Sequence, residues 1–270
     1  YRSTSLSYFE DLLIHSFAIN ISSGVIFQSN WSAEKNFKIN PKLKNVPYKI
    51  IYNGGRVFHT DHKKKKKEDA CLFVANSNNP HKGFYLFEEF ANKSKLSDEL
   101  KDLKFYAAGN IKSSIKKNKN IKYVGNLNKK ELSKIMQRIK YYIHPSIYEA
   151  CSNALIEAIN HGMIPLVYNG TSNVEIVKED KFKFYNLDQL INNFKELRKI
   201  EDLSRYQLIK FDIDKSAECY LEFFEQISKS INHKISFKNI IIFLLHLYLY
   251  QLTLLYHKSK SFLNFFIAKN

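Results

Sequence analysis

A chain of 270 residues can hold one large domain or two modest ones, and its 44% hydrophobic, 14% aromatic composition excludes a disordered linker. The formal charge of +16 points to an anionic partner. No zinc-finger, RRM-type or helix-turn-helix pattern singles out nucleic acid, so phosphate-bearing substrates or an anionic membrane surface remain, beside a compositional bias with no function in it. Three scattered cysteines, Cys71, Cys151 and Cys219, exclude a disulfide framework and a zinc site and imply a reducing, cytoplasmic setting.

Residues 6–19 read as a helix with Leu6, Phe9, Leu13 and Phe17 on one side. Glu10, Asp11 and His15 break any apolar run there, so this opening is no signal peptide. A chain beginning at Tyr1 is expected to be a piece of a longer one. A short strand follows at 24–28, then Ser29 as a helix cap with Trp31 in the first turn. A second strand at 49–52 runs into Asn53-Gly54-Gly55. The lysines at 63–67 read as a solvated loop. From Ala70 strands and helices alternate, which implies right-handed βαβ units and a parallel sheet. Strands are expected at 70–75, 104–108, 122–124, 141–143, 164–167 and 182–185. Helices fall at 84–91, 112–117, 130–140, 154–160 and 174–177, with Asn128 and Glu131 forming a capping box for the third. Residues 187–198 and 214–230 read as closing amphipathic helices. The chain ends differently. Residues 240–256, IIIFLLHLYLYQLTLLY, are apolar but for His246, Gln251 and Thr253, with lysines on both flanks. Seventeen residues are at the lower limit for crossing a bilayer. Tyrosines and flanking lysines favour attachment at the interface over a span, with burial against another domain as the alternative.

The densest chemistry lies between residues 140 and 167, KYYIHPSIYEACSNALIEAINHGMIPLV. An apolar strand, a Pro-Ser turn, a helix opening near Ser152 and a second strand would leave free amides at the helix start. Those amides and the helix dipole favour an anion. Glu149 and Glu157 flank that point in the spacing E-x7-E, at most about 12 Å apart as helix. Carboxylates beside a phosphate repel it, so they are better placed to accept hydrogen bonds from hydroxyls. Phosphate with hydroxyls on both sides describes a nucleotide sugar. Standing alone, E-x7-E is more simply two surface glutamates.

The whole phrase, P-S-x-x-E-x7-E-A-x3-G-x-x-P, resembles the signature of the C-terminal domain of retaining family-4 glycosyltransferases with the GT-B, double-Rossmann fold. The resemblance runs in order from about Val25 to Val177. It implies an α/β, Rossmann-like parallel sheet at 56–230, the end of an N-terminal acceptor domain at 1–55, and an apolar helical tail at 231–270. It further implies transfer of a sugar, with retention, from a nucleotide-sugar donor to a glycan or lipid-linked acceptor, with no metal or other cofactor. In the family pattern an Arg and a Lys-Gly pair after the first strand hold the diphosphate. Lys82 and Gly83 match, whereas Asn76 or Ser77 stands in place of the arginine. Lys82 is a point charge without the bidentate fork of Arg. Gly109, Gly125, Asn126 and Leu127 match loops that contact the base. Cys151, Ser152 and Asn153 stand at the helix start, with Glu157 on the ribose and Glu149 on the donor sugar; Lys82 and Glu149 are the implied catalytic groups. Glu175 matches the Glu of a GG-x-x-E loop whose glycine pair is partly replaced by Asn169-Gly170-Thr171-Ser172. His144 sits at a strand end, where a structural role competes with a role as a base. A nucleotide-sugar epimerase of the same fold and a non-catalytic, membrane-associated module are the competing readings.

Overall fold

The computed structural model describes residues 5–56, 67–76, 79–111, 118–200, 211–230 and 236–267. The helix expected at 112–117, the lysines at 63–66 and Ser77 lie outside them. The chain forms two compact units, one of Tyr1–Phe27, Ala33–Ile50 and Tyr220–Asn270, the other of Gln28–Ser32 and Ile51–Cys219.

The first unit holds α1 (Ser5–Asn20), β1 (Val25–Phe27), α2 (Asn30–Ile39) from Ala33 onward, and β2 (Tyr48–Ile50). Ser29 caps α2 as its sequence predicts, its hydroxyl accepting from the Ser32 N–H at 3.0 Å. The strands β1 and β2 pair in parallel. Phe27 fills the space between Phe37 and Tyr48, edge-to-face with both. His15 Nε2 lies 2.9 Å from Asn36 Oδ1, tying α1 to α2.

The second unit is a six-stranded sheet built from β3 (Glu68–Val74), β4 (Lys104–Ala108), β5 (Lys122–Gly125), β6 (Ile139–His144), β7 (Ile164–Tyr168) and β8 (Lys183–Phe184). Its helices are α3 (Phe84–Lys95), α4 (Lys129–Arg138), α5 (Asn153–Asn160), α6 (Asn173–Ile176) and α7 (Leu187–Lys199). Every pairing is parallel, in the order β5-β4-β3-β6-β7-β8. Covered on both faces, β3, β6 and β7 are nearly continuous buried apolar runs. Rings fill the helix–sheet layer: Phe90 meets Phe105 at 5.2 Å and Phe194, and Tyr141 meets Phe194 at 4.6 Å. The order reverses between β3 and β6, and in such sheets that reversal opens a crevice beyond the carboxyl ends of the strands.

Four local expectations shift. The helix expected at 130–140 is α4, which stops at Arg138 because Ile139, buried and β-branched, is already extended and begins β6. The last strand keeps only Lys183 and Phe184, since Phe182 closes a 3-10 turn from Asp180. In the first unit β1 drops Gly24 and Gln28, and β2 runs Tyr48–Ile50 rather than 49–52. The capping box forms: Asn128 accepts from the Glu131 N–H at 3.0 Å, and Glu131 accepts from that of Asn128 at 2.8 Å.

The chain then enters α8 (Ile213–Ser230) and α9 (Phe237–Ile267). Within the first unit Phe17 of α1 packs on Phe243 of α9, ring centroids 5.5 Å apart. Phe237–Lys258 is long and apolar enough to cross a membrane, with mean hydropathy 1.6, and none of it is buried.

Candidate functional site

Beyond β3 and β6 the two loops at the reversal are stitched together. The His81 carbonyl accepts from the Ile147 N–H at 2.9 Å and from the Ser146 hydroxyl at 3.2 Å. Gly83 caps α3 with φ of 71°, and a Cβ there would lie 2.4 Å from the Pro145 carbonyl oxygen. Only glycine lets the β6–α5 loop come this close. The close approach brings Lys82 Nζ to 2.6 Å from Glu149 Oε2, which also accepts from the Ser146 hydroxyl at 3.1 Å. Lys82 and Glu149 thus meet although 67 residues apart in sequence. Neither is in bulk solvent: their side chains are 33% and 15% exposed.

Next to them α5 begins at Asn153, with Ser152 as its cap; the Ser152 hydroxyl accepts from the Leu155 N–H at 3.3 Å. Its first N–H groups, at Asn153 and Ala154, have no acceptor within the helix, the feature that suits an anion. Asn53, from the NG turn, reaches over: its Nδ2 donates to Asn153 Oδ1 at 2.7 Å and to the Cys151 carbonyl at 3.2 Å. Burial pushes the Cys151 thiol up to about 11, with the nearby Asn53 hydrogen bond opposing, so the group is a neutral thiol. Glu157 lies one turn into α5, half-buried. Burial raises its carboxyl above the usual carboxylate range, with the Lys129 charge pulling the other way.

Gly109, Gly125 and Asn126 gather at the ends of β4 and β5, where they line a hollow of about 460 Å³ with Asn110, Ile111 and Tyr123. The Gly109 N–H donates to the Gly125 carbonyl at 2.8 Å. Gly109 has φ of 111°, and a Cβ would sit 1.9 Å from the Ala75 carbonyl oxygen. Leu127 is partly buried against the core rather than among the hollow's lining. Asn76, standing where the family pattern has arginine, lies beside Gly109.

His144 is buried at the end of β6. Burial holds it down to about 4, so the ring is neutral, stacked on Tyr142, with no partner for Nε2 among the described residues. Glu175 has a position that its motif did not reveal. Its carboxylate accepts from the N–H groups of Asn30 and Trp31 at 2.9 and 2.7 Å and from the Tyr52 hydroxyl at 2.5 Å. Burial opposes its ionisation, but those donors together hold it below the usual carboxylate range. Burial first, then that same bond, pushes Tyr52 up to about 12. Asn160, at the far end of α5, was also missed. Its side chain donates to the Gly55 and Phe211 carbonyls at 2.9 and 2.8 Å and accepts from the Phe211 N–H at 3.1 Å. Only a tertiary structure could have revealed either network, since the partners are 51 to 145 residues away. Among the described residues no group of three or more His, Cys, Asp or Glu is placed to hold a metal.

A parallel sheet in this order, with a charged loop-built cleft at its reversal, is the Rossmann-like half of a GT-B protein. The chain belongs to the family described as Glycosyl transferases group 1, whose model matches residues 57–210. A Staphylococcus aureus protein, the capsular polysaccharide biosynthesis glycosyltransferase CapH, is 26% identical over 178 residues, 62% of this chain and 48% of its own length. Two solved structures share the fold. The pneumococcal O-GlcNAc transferase GtfA, in complex with UDP and GlcNAc, has a TM-score of 0.61 at 14% identity over 78% of this chain and 47% of its own. Anabaena HepE, in complex with UDP-glucose, has a TM-score of 0.64 at 14% identity over 83% and 68%. The chain spans about half the length of CapH and of GtfA.

Proposed function

We propose that this chain carries the donor-binding half of a retaining glycosyltransferase, which moves a sugar from a nucleotide-sugar donor to a glycan or lipid-linked acceptor. The observation that carries the reading is the meeting of Lys82 and Glu149 at the sheet's reversal, next to the start of α5. Residues 1–55 are the end of an acceptor domain, 56–230 the donor domain and 231–270 a tail. Lys82, Gly83 and the amides at Ser152 and Asn153 take the diphosphate. Glu157 accepts from the ribose hydroxyls, Glu149 from the donor sugar, and the Gly109 and Gly125–Leu127 loops receive the base. Negative charge grows on the departing diphosphate in the transition state. The Lys82 ammonium and the α5 amides, already fixed in place, stabilise it without a metal ion. Lys82, one-third exposed, leaves room for phosphate oxygens to share it with Glu149. Cysteine usage supports a cytoplasmic setting. UDP is the nucleotide in both neighbouring complexes and is the natural probe.

The test uses the full-length gene product with labelled UDP-sugars and lipid-linked or oligosaccharide acceptors. Label should move to the acceptor, with the anomeric configuration kept. Turnover of the donor without any acceptor would replace this reading with an epimerase, and binding without turnover would leave a non-catalytic module.

A further inference from the structure

We propose that α9 is an interfacial helix that docks the protein, lying flat, on an anionic bilayer. This goes beyond the glycosyltransfer reading and does not depend on it. A helix turns about 100° per residue. On that basis Phe237, Ile241, Leu244, Tyr248, Leu252 and Leu255 fall within an arc of about 80°. All six are between 44% and 77% exposed, a continuous apolar stripe in water. Leu245, Tyr256 and Ile240, also exposed, widen the face on its two sides, and the exposed Lys238 and Lys258 stand at its two rims, level with Tyr256 and Ile240. Diametrically opposite, within about 40°, lie Phe243 and the polar groups His246, Thr253 and His257. That inner side is the one packed on α1, through Phe243 on Phe17. His246 Nδ1 is shut off from solvent there, and the Thr253 hydroxyl turns back onto the Leu249 carbonyl.

This sidedness decides between spanning and lying flat. A span would put His246 and Thr253 into hydrocarbon along with the α1 side of the pair, which carries Glu10 and Asp11. Lying flat buries the stripe alone and leaves the inner side on α1. Charge decides between lipid and a second copy. From Phe237 to Ile267 α9 has no acidic residue, so two stripes facing each other would bring lysines to lysines. Anionic headgroups supply the missing counter-charge at both rims, and Tyr248 on the stripe suits the headgroup boundary.

The test is flotation of the full chain with phosphatidylcholine vesicles, with and without phosphatidylglycerol, at low and high salt. Binding should require phosphatidylglycerol and fall with salt. The pair Lys238→Gln and Lys258→Gln should weaken it about 25-fold, about fivefold for each charge near the surface. Leu244→Ser with Leu252→Ser should remove it, while far-UV circular dichroism and the melting transition stay unchanged, because both side chains point into solvent. Bound protein should come off in alkaline carbonate, which leaves spanning helices in place. Retention in carbonate would overturn the flat orientation. No vesicle binding by a folded chain would overturn the proposal, as would a concentration-dependent dimer in ultracentrifugation that the same leucine variants abolish.

Discussion

Replacing Glu149 by glutamine should tighten UDP while weakening the intact nucleotide sugar. In the structure Glu149 holds Lys82 at 2.6 Å. A diphosphate oxygen accepting from the same ammonium would lie about 5 Å from the carboxylate, where two unit charges repel by about 3 kcal/mol at an effective dielectric of about 20. Lys82 is one-third exposed and salt screens the cleft, so about 1 kcal/mol of that survives, or about fivefold in affinity. Glu149→Gln should therefore bind UDP about fivefold more tightly than the parent. Lys82→Met loses a charge-assisted contact of about 1.5–3 kcal/mol and should bind about 10- to 150-fold more weakly. With a sugar attached the sign reverses for Glu149→Gln, because the carboxylate acceptor for a sugar hydroxyl is gone. Isothermal titration of the chain and both variants with UDP and UDP-glucose reads all of this. Equal changes for the two ligands at position 149, or a loss of UDP binding there larger than at position 82, would refute the assignment.

Glu157→Gln should weaken UDP about two- to tenfold, a lost hydrogen bond to ribose, in the same titration. Its carboxyl is raised by burial, so its contribution favours the fold below the unfolded value and is lost as pH rises through the folded one. Denaturant melts should show the glutamine variant more stable than the parent at neutral pH, with the gap closing in acid. Glu175→Gln should act with the opposite sign. Its lowered carboxyl contributes stability above the unfolded value that disappears as pH falls through the folded one, so a deficit of roughly 1–2 kcal/mol at neutral pH, discounted for partial exposure, should shrink in acid. Gly109→Ala should cost about 3 kcal/mol or more in a urea melt, since its Cβ would collide with the Ala75 carbonyl and φ is left-handed.

Local chemistry made the sheet readable. The apolar runs of β3, β4, β6 and β7, the Asn128–Glu131 box and the Ser152 cap are specified by neighbours a few residues away, and each formed within a residue or two of its expected place. The boundary at Arg138 slipped because Lys140 looks as helical as its neighbours, and only pairing with β3 draws Ile139 into the sheet. The site was half legible. E-x7-E placed Glu149 and Glu157 around a helix start, but nothing local says that Lys82 closes onto Glu149. Glu175 was visible as a motif position, yet its donors come from Asn30, Trp31 and Tyr52, more than a hundred residues earlier. Along the chain His246 and Thr253 look like flaws in an apolar run; on the helix they share one side.

The two ends of α5 have different attachments. Eight residues make a rod about 12 Å long, with the Ser152 cap at one end and Asn160 at the other. The Asn160 side chain grips Gly55 and Phe211, the strand of chain leading into the sheet and the strand leading out. So short a helix is stiff and transmits displacement instead of absorbing it. Three hydrogen bonds from one side chain thus fasten both segments to the same end of α5, so a displacement along the rod would be felt at Gly55 and Phe211 together. Trimming that side chain to alanine would remove all three bonds at once while leaving the Ser152 cap at the other end in place.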